Sequence, residues 1–152
     1  MSRIAYVNGR YVPHRAASVH VEDRGYQFSD GVYEVIAVEG ERLVDEAGHL
    51  DRLDRSLGEL RIPSPMSRPA LALVMREVLR RNRIRDGIIY IQMTRGVAPR
   101  DHAFPKHALK TAGVMTARRK KPQAAALAER GAKVLTIPDI RWEGCDIKAV
   151  AL

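Results

Sequence analysis

Apolar and polar positions change period several times along the chain, and each change marks an element. Short apolar runs, Ile4 to Val7 and Arg10 to Val12, flank Asn8-Gly9, a pair suited to a two-residue turn, so a β-hairpin opens the chain. The run Gly31-Val-Tyr-Glu-Val-Ile-Ala-Val38 reads as a buried strand, and Glu39-Gly40-Glu41 turns it into a short return strand at Arg42 to Val44. From His49, leucines at 50, 53, 57 and 60 recur at helical spacing with charges between them, which predicts an amphipathic helix. Ile62, Pro63 and Pro65 end it. Ser67 caps the next helix, Pro69 suits its first turn, and Leu71, Val74, Met75, Val78 and Leu79 form its buried stripe up to Asn82–Gly87.

Ile88 to Thr94 and Gly113 to Ala117 are further strands, separated by a loop that carries Arg100 and His102. Hairpins dominate and no βαβ alternation occurs, so the fold class is α+β, an antiparallel sheet with two helices against it. Residues 1–117 form this N-terminal domain, and the charge run Arg118-Arg-Lys-Lys121 closed by Pro122 opens a connector over 118–131. Within it Gln123 to Arg130 forms a short helix stopped by Gly131. Residues 132–152 begin a second domain with a strand at Lys133 to Ile137. The last stretch, Cys145 to Leu152, is apolar and has no stop signal. It ends in mid-element with nothing after it to bury it, which suggests a fragment of a longer chain.

Composition narrows the class. The 45% apolar and 29% charged residues are ordinary globular usage, which argues against disorder or a fibrous repeat. No apolar run approaches the roughly 18 residues of a membrane span, and Met1 to Gly9 lacks the apolar stretch of a secretory signal, so a cytoplasmic, membrane-free protein is expected. One cysteine, Cys145, permits no intrachain disulfide and excludes a multi-cysteine zinc module, and no metal is expected. The net charge of +8 favours anionic partners. Its excess lies in two clusters, Arg80, Arg81, Arg83 and Arg85, then Arg118 to Lys121. They read as solvated element ends rather than a nucleic-acid surface, because no aromatic residues interleave with them.

Taken singly, the candidate chemical residues are ambiguous. Arg100 and His102 present donors and an imidazole suited to a small carboxylate, although an Arg-x-His in a loop is ordinarily just solvated. Lys148 lies between Ile147 and Ala149, where desolvation would free its amine to attack a carbonyl, yet on these residues alone a packed stem with its head in water is the more ordinary case. Tyr33 reads as half-buried strand, Arg52 as a charge on the wet face of its helix, and His49 as a helix-starting residue.

Several separated segments together resemble the fold-type IV pyridoxal-phosphate enzymes, nearest the D-amino acid aminotransferase branch. They are Glu22-Asp-Arg-Gly-Tyr-Gln-Phe-Ser-Asp-Gly-Val-Tyr-Glu34, His49-Leu-Asp-Arg-Leu53, Tyr90-Ile-Gln-Met-Thr-Arg-Gly96 with Arg100-Asp-His102, Asp139-Ile-Arg-Trp142, and Cys145-Asp-Ile-Lys148. They occur in the family's order across nearly the whole chain, with Ser29 where many relatives have glycine.

The resemblance implies that Lys148 is the Schiff-base lysine, whose freed amine then moves a proton between the substrate Cα and the cofactor. It implies that Arg52 binds the cofactor phosphate, and that Tyr33, Arg100 and His102 trap the substrate carboxylate, the last two reaching the other subunit of a homodimer. It also implies the reaction: D-alanine and 2-oxoglutarate give pyruvate and D-glutamate. Family members continue through a larger C-terminal domain that supplies the acidic partner of the pyridinium nitrogen, so these residues alone should make a poor enzyme. The alternatives are a branched-chain L-amino acid aminotransferase or an aminodeoxychorismate lyase on the same fold and, more distantly, a non-catalytic basic binding module.

Overall fold

A computed structural model describes residues 4–120, 129–138 and 145–151. Six strands, β1 (Ile4–Val7), β2 (Arg10–Pro13), β3 (Gly31–Glu39), β4 (Arg42–Leu43), β5 (Gly87–Thr94) and β6 (Ala112–Arg119), form one sheet in the order β2-β1-β6-β5-β3-β4, with all neighbours antiparallel. Among the described residues the helices α1 (Arg24–Phe28), α2 (Glu46–Glu59) and α3 (Arg68–Asn82) accompany it. The expected α+β architecture is the one observed.

The centre of the sheet is held by two eight-pair ladders, β3 on β5 from Gly31↔Thr94 to Val38↔Gly87, and β5 on β6 from Gly87↔Arg119 to Thr94↔Ala112. Period-2 alternation then divides the side chains. Val32, Ile36, Val38, Ile89, Ile91, Met93 and Met115 are buried on one face, against Leu50, Leu53 and Leu57 of α2 and Leu71, Met75, Val78 and Leu79 of α3. Each such side chain contributes roughly 1.5–3 kcal/mol of burial free energy. The other face, with Tyr33, Val35, Tyr90, Gln92, Val114 and Thr116, is half-buried.

The first hairpin turns at Asn8 and Gly9, both at positive φ, and closes on Val7↔Arg10 as the dipeptide predicts. Ser67 accepts from the Ala70 amide and caps α3. At the other end of α3, buried Asn82 bonds both the amide and the carbonyl of Ile4, tying the helix to β1.

Four features depart from the sequence reading. The short helix α1 was not anticipated, since five residues containing Gly25 show no apolar period. Its only sequence mark is Asp23, whose carboxylate accepts from the Gly25 amide. Second, α2 starts at Glu46, three residues before His49. Third, Lys133 to Ile137 is not a strand: no strand pairs with it among the described residues, and Val134, Leu135 and Ile137 are exposed. Fourth, the final segment is not left uncovered. The two-residue β4 leaves the Gly31 end of β3 open, and Lys148 to Val150 docks there: the Tyr33 amide donates to the Lys148 carbonyl at 3.0 Å, the Val150 amide donates to the Gly31 carbonyl at 2.9 Å, and Ala149 is buried. Of the expected helix over 123–130, only Glu129 and Arg130 lie within the described residues, and both are helical. The Asp139-Ile-Arg-Trp142 motif lies outside them.

Candidate active site

Helix α2 builds one wall. His49, Arg52 and Ser56 are spaced by three and four residues and so share a face, turned toward β3 and the docked segment. Opposite them, Glu34 occurs in phase with Val32, Ile36 and Val38, which places a carboxylate on the core face with no solvent exposure. Such a charge requires partners. Arg52 supplies a fork, Nε to Oε1 at 2.6 Å and Nη2 to Oε2 at 2.7 Å, and His49 Nδ1 meets Oε2 at 2.7 Å. Burial pushes the Glu34 carboxyl up, but the hydrogen bonds and charges of Arg52 and His49 outweigh it and hold the group below its ordinary range. The hydrogen bonds that Arg52 donates to Glu34 in turn raise Arg52. Arg52 is thus not a free surface charge: one edge is committed to Glu34, while Nη1 makes no hydrogen bond among the described residues and the side chain is 43% exposed.

Lys148 is held by its backbone. Its amide donates to buried Ser56 Oγ at 3.3 Å, its carbonyl accepts from Tyr33, and two residues earlier Asp146 is gripped by Arg55, Nη1 to Oδ2 at 2.7 Å. The side chain passes to the half-buried face of the sheet, where Nζ lies 4.3 Å from the centre of the Tyr33 ring. Tyr33 stacks on Tyr90 at 5.7 Å, and the Tyr90 hydroxyl donates to Gln92 at 2.7 Å. Burial, then the neighbouring Tyr33, raises the Tyr90 phenol. Lys148 and Arg52 therefore reach around the same open edge of β3 from its two faces.

The Arg-x-His loop is anchored separately. Asp30 accepts Arg24 Nε at 2.8 Å and both Nε and Nη2 of Arg95, at 2.7 and 2.9 Å. Burial raises the Asp30 carboxyl, but these two guanidinium groups outweigh it and hold it below its usual value. Arg24 then donates to the Asp101 carbonyl at 2.9 Å, and Arg95 to the Leu60 and Arg61 carbonyls, which pins the loop at its start and at Asp101. Arg100 lies 5.1 Å above the Phe28 ring and His102 packs on the same ring at 5.5 Å. Both are exposed, and among the described residues neither bonds to Tyr33 or Lys148.

Of the residues singled out from sequence, the structure thus pairs Lys148 with Tyr33 and Arg100 with His102, and places Arg52 on Glu34. Sequence reasoning missed Glu34, Ser56, Asp30 and the anchoring role of Arg24 and Arg95. The one available signal was Glu34 itself, an acid in phase with buried apolar positions. Among the described residues no helix is long and apolar enough to cross a membrane.

The chain is 39% identical over 147 residues to the D-alanine aminotransferase of Staphylococcus haemolyticus, covering 97% of this chain and 52% of the relative. It is 38% identical over 148 residues to the D-alanine aminotransferase of Listeria monocytogenes serotype 4b, covering 96% of this chain and 51% of the relative. The chain thus spans about half the length of the curated relatives it matches. Among solved structures, the branched-chain amino acid aminotransferase of Escherichia coli superposes with a TM-score of 0.72 at 22% identity, over 79% of this chain and 42% of that one. The 4-amino-4-deoxychorismate lyase of Pseudomonas aeruginosa does so with a TM-score of 0.68 at 27% identity, over 84% and 44%. The family model of class IV aminotransferases matches residues 31–152, which include both the open edge of β3 and the lysine docked on it, and the chain belongs to that family.

Proposed function

We propose that the whole protein transfers amino groups between D-amino acids and 2-oxo acids with pyridoxal 5′-phosphate, turning D-alanine and 2-oxoglutarate into pyruvate and D-glutamate. The observation that carries this reading is the placement of Lys148: a primary amine fixed through its backbone at the β3 edge and aimed over Tyr33, with a second cation, Arg52, at the same edge. The choice of D-amino acids is supported by relatives named D-alanine aminotransferase that match nearly all of this chain.

The residues present fit the cofactor. A phosphorylated aldehyde needs a carbonyl-reactive amine and a donor for its phosphate, and Lys148 Nζ and Arg52 Nη1, which has no partner among the described residues, would be those groups. When bound, pyridoxal phosphate supplies a ring that takes up negative charge from the substrate Cα. The Lys148 amine would hold the cofactor and would be the base that takes the Cα proton. Glu34, by holding Nε and Nη2 of Arg52, would leave Nη1 for the phosphate. Arg100 and His102, with Tyr33, hold the substrate carboxylate, so one face of Cα is turned to the Lys148 amine. Arg100 and His102 serve the site of the other subunit in a homodimer, consistent with their outward position on Phe28.

The test is intact mass of the full chain after incubation with pyridoxal phosphate and borohydride, followed by peptide mapping and a substrate panel. A cofactor-sized adduct on Lys148, lost in Lys148→Ala, with turnover of D-alanine but not L-leucine, is expected. An adduct elsewhere overturns the role of Lys148, and turnover of L-amino acids alone overturns the D-specific reading. The 27% identity to the lyase supports a second reading, in which pyruvate forms from 4-amino-4-deoxychorismate without an amino acceptor. Including 4-amino-4-deoxychorismate in the panel separates the two: its turnover, without turnover of D-alanine, overturns the transaminase reading.

A further inference from the structure

The two basic clusters lie about 35 residues apart in sequence, and the candidate active site uses neither. The fold brings them together. At the Gly87↔Arg119 end of the sheet, the end of α3 and the end of β6 face each other across a groove of about 880 Å³. Strands β3, β5 and β6 run between this groove and the lysine docked opposite Tyr33, a separation of roughly 17 Å for the five strand residues from Tyr33 to Val38.

Its cations divide into two sets. Arg76 is bound to Glu46 at 2.7 Å, Arg80 to Glu77 at 2.7 Å, and Arg85 meets Glu41 at 3.4 Å. Arg83, Arg119 and Lys120 have no side-chain partner among the described residues. The acids that line the groove are Glu41, which meets Arg85, and Asp86, which accepts the Gly40 amide at 2.9 Å and whose charge offsets one of these three cations. Basic residues in the last turn of α3 suit its negative dipole end, which accounts for Arg80 and Arg81. It does not account for Arg119 and Lys120, which come from the sheet and add like charge to the same hollow. Three cations without an ion pair, set against the one charge of Asp86, leave the groove net positive, and a bound polyanion meets that excess.

We infer that this groove is a binding site for a small molecule bearing two or three linked phosphates, its charge met by Arg83, Arg119 and Lys120 and its apolar part resting on Leu79 and Ile84. The volume falls in the range of small-ligand sites, roughly 300–1,000 Å³. Among the described residues no aromatic side chain lines the groove, so they offer no stacking platform for the bases of a single strand. The site stands apart from the proposed transaminase chemistry and does not depend on it.

The experiment is titration calorimetry of the full chain, metal-free and at low salt, with inorganic triphosphate, adenosine triphosphate, sodium sulfate and a short RNA as probes. Triphosphate and adenosine triphosphate should bind at one site, with sulfate at equal ionic strength far weaker. Arg119→Gln and Lys120→Gln together should weaken binding at least tenfold, and Arg83→Asn, which tolerates the left-handed backbone there, should do so severalfold. Lys148→Ala and Arg52→Gln should bind as the parent does, separating this site from any cofactor phosphate site. Melting temperatures of the variants within a few degrees of the parent show that the fold is intact. Unchanged binding in the folded groove variants overturns the proposal, as does equal competition by sulfate. Tighter binding of the RNA, lost in the same variants, also overturns it and assigns a nucleic-acid surface instead.

Discussion

Glu34 and Arg52 share two near-parallel hydrogen bonds, 2.6 and 2.7 Å, yet the carboxylate is wholly buried while the guanidinium is 43% exposed. Their environments are therefore unequal, and so are the consequences of losing either one. Without Glu34, Arg52 rehydrates in place. Without Arg52, a buried carboxylate keeps only His49.

Arg52→Ala should accordingly destabilise the fold by about 3 kcal/mol, near the range for breaking a buried pair. Glu34→Gln, which keeps the shape, should cost about 1–2 kcal/mol. Urea unfolding of the two variants checks the order, and a larger loss for Glu34→Gln would contradict the asymmetry.

Acid should weaken the protein through Glu34 and Asp30. Both carboxyls are held below their ordinary values of 4.5 and 3.8 in the folded chain, so the unfolded chain binds more protons as the solution is acidified. Their contribution is complete above the unfolded values and is lost as pH falls through the folded ones. The urea midpoint should be flat from pH 7 to about 5.5 and fall below it. Asp30→Asn with Glu34→Gln should flatten that fall, and an unchanged slope would place the acid sensitivity elsewhere.

Gly96 occupies φ +107°, and a Cβ there would lie 2.1 Å from the Lys110 carbonyl oxygen. Its own carbonyl accepts the Arg24 amide at 2.9 Å, so the residue joins α1 to the start of the Arg-x-His loop. Gly96→Ala should cost about 2–3 kcal/mol or more, from backbone strain and from the displaced loop. Hydrogen exchange should show faster amides over residues 97–111 in this variant, with the α3 amides unchanged.

Arg100→Ala and His102→Ala remove exposed side chains that pack on Phe28, and each should shift stability by no more than about 0.5 kcal/mol. If they hold the substrate carboxylate, KM for D-alanine should rise at least tenfold in the full chain. The affinity for pyridoxal phosphate should stay unchanged. A loss of cofactor binding, with KM unaltered, would move these residues out of the substrate site.

Much of this architecture was legible along the chain. Asn8-Gly9 specifies its own turn, because both residues accept positive φ at little cost. The leucines of α2 and the stripe of α3 declare their buried faces through spacing alone, and Ser67 declares where α3 begins. These are local effects, decided within a few residues. Lys148, Arg52, Tyr33, Arg100 and His102 could be named in advance only through their neighbouring motifs.

What the sequence by itself determined, then, was the set of elements, the periods of their faces and the residue types available for chemistry. The tertiary structure decided who meets whom. Lys133 to Ile137 has the composition of a strand but no partner among the described residues, whereas Lys148 to Val150 finds one because β4 stops after two residues and leaves the β3 edge open. Glu34 acquires Arg52 from eighteen residues away, Asp30 acquires Arg95 from sixty-five, and the two arginine clusters converge on one groove. Such pairings depend on strand register and on the way α2 and α3 lie across the sheet. Those are properties of the whole packed chain, set by burial and by the need of each buried polar group for a partner, and no local window contains them.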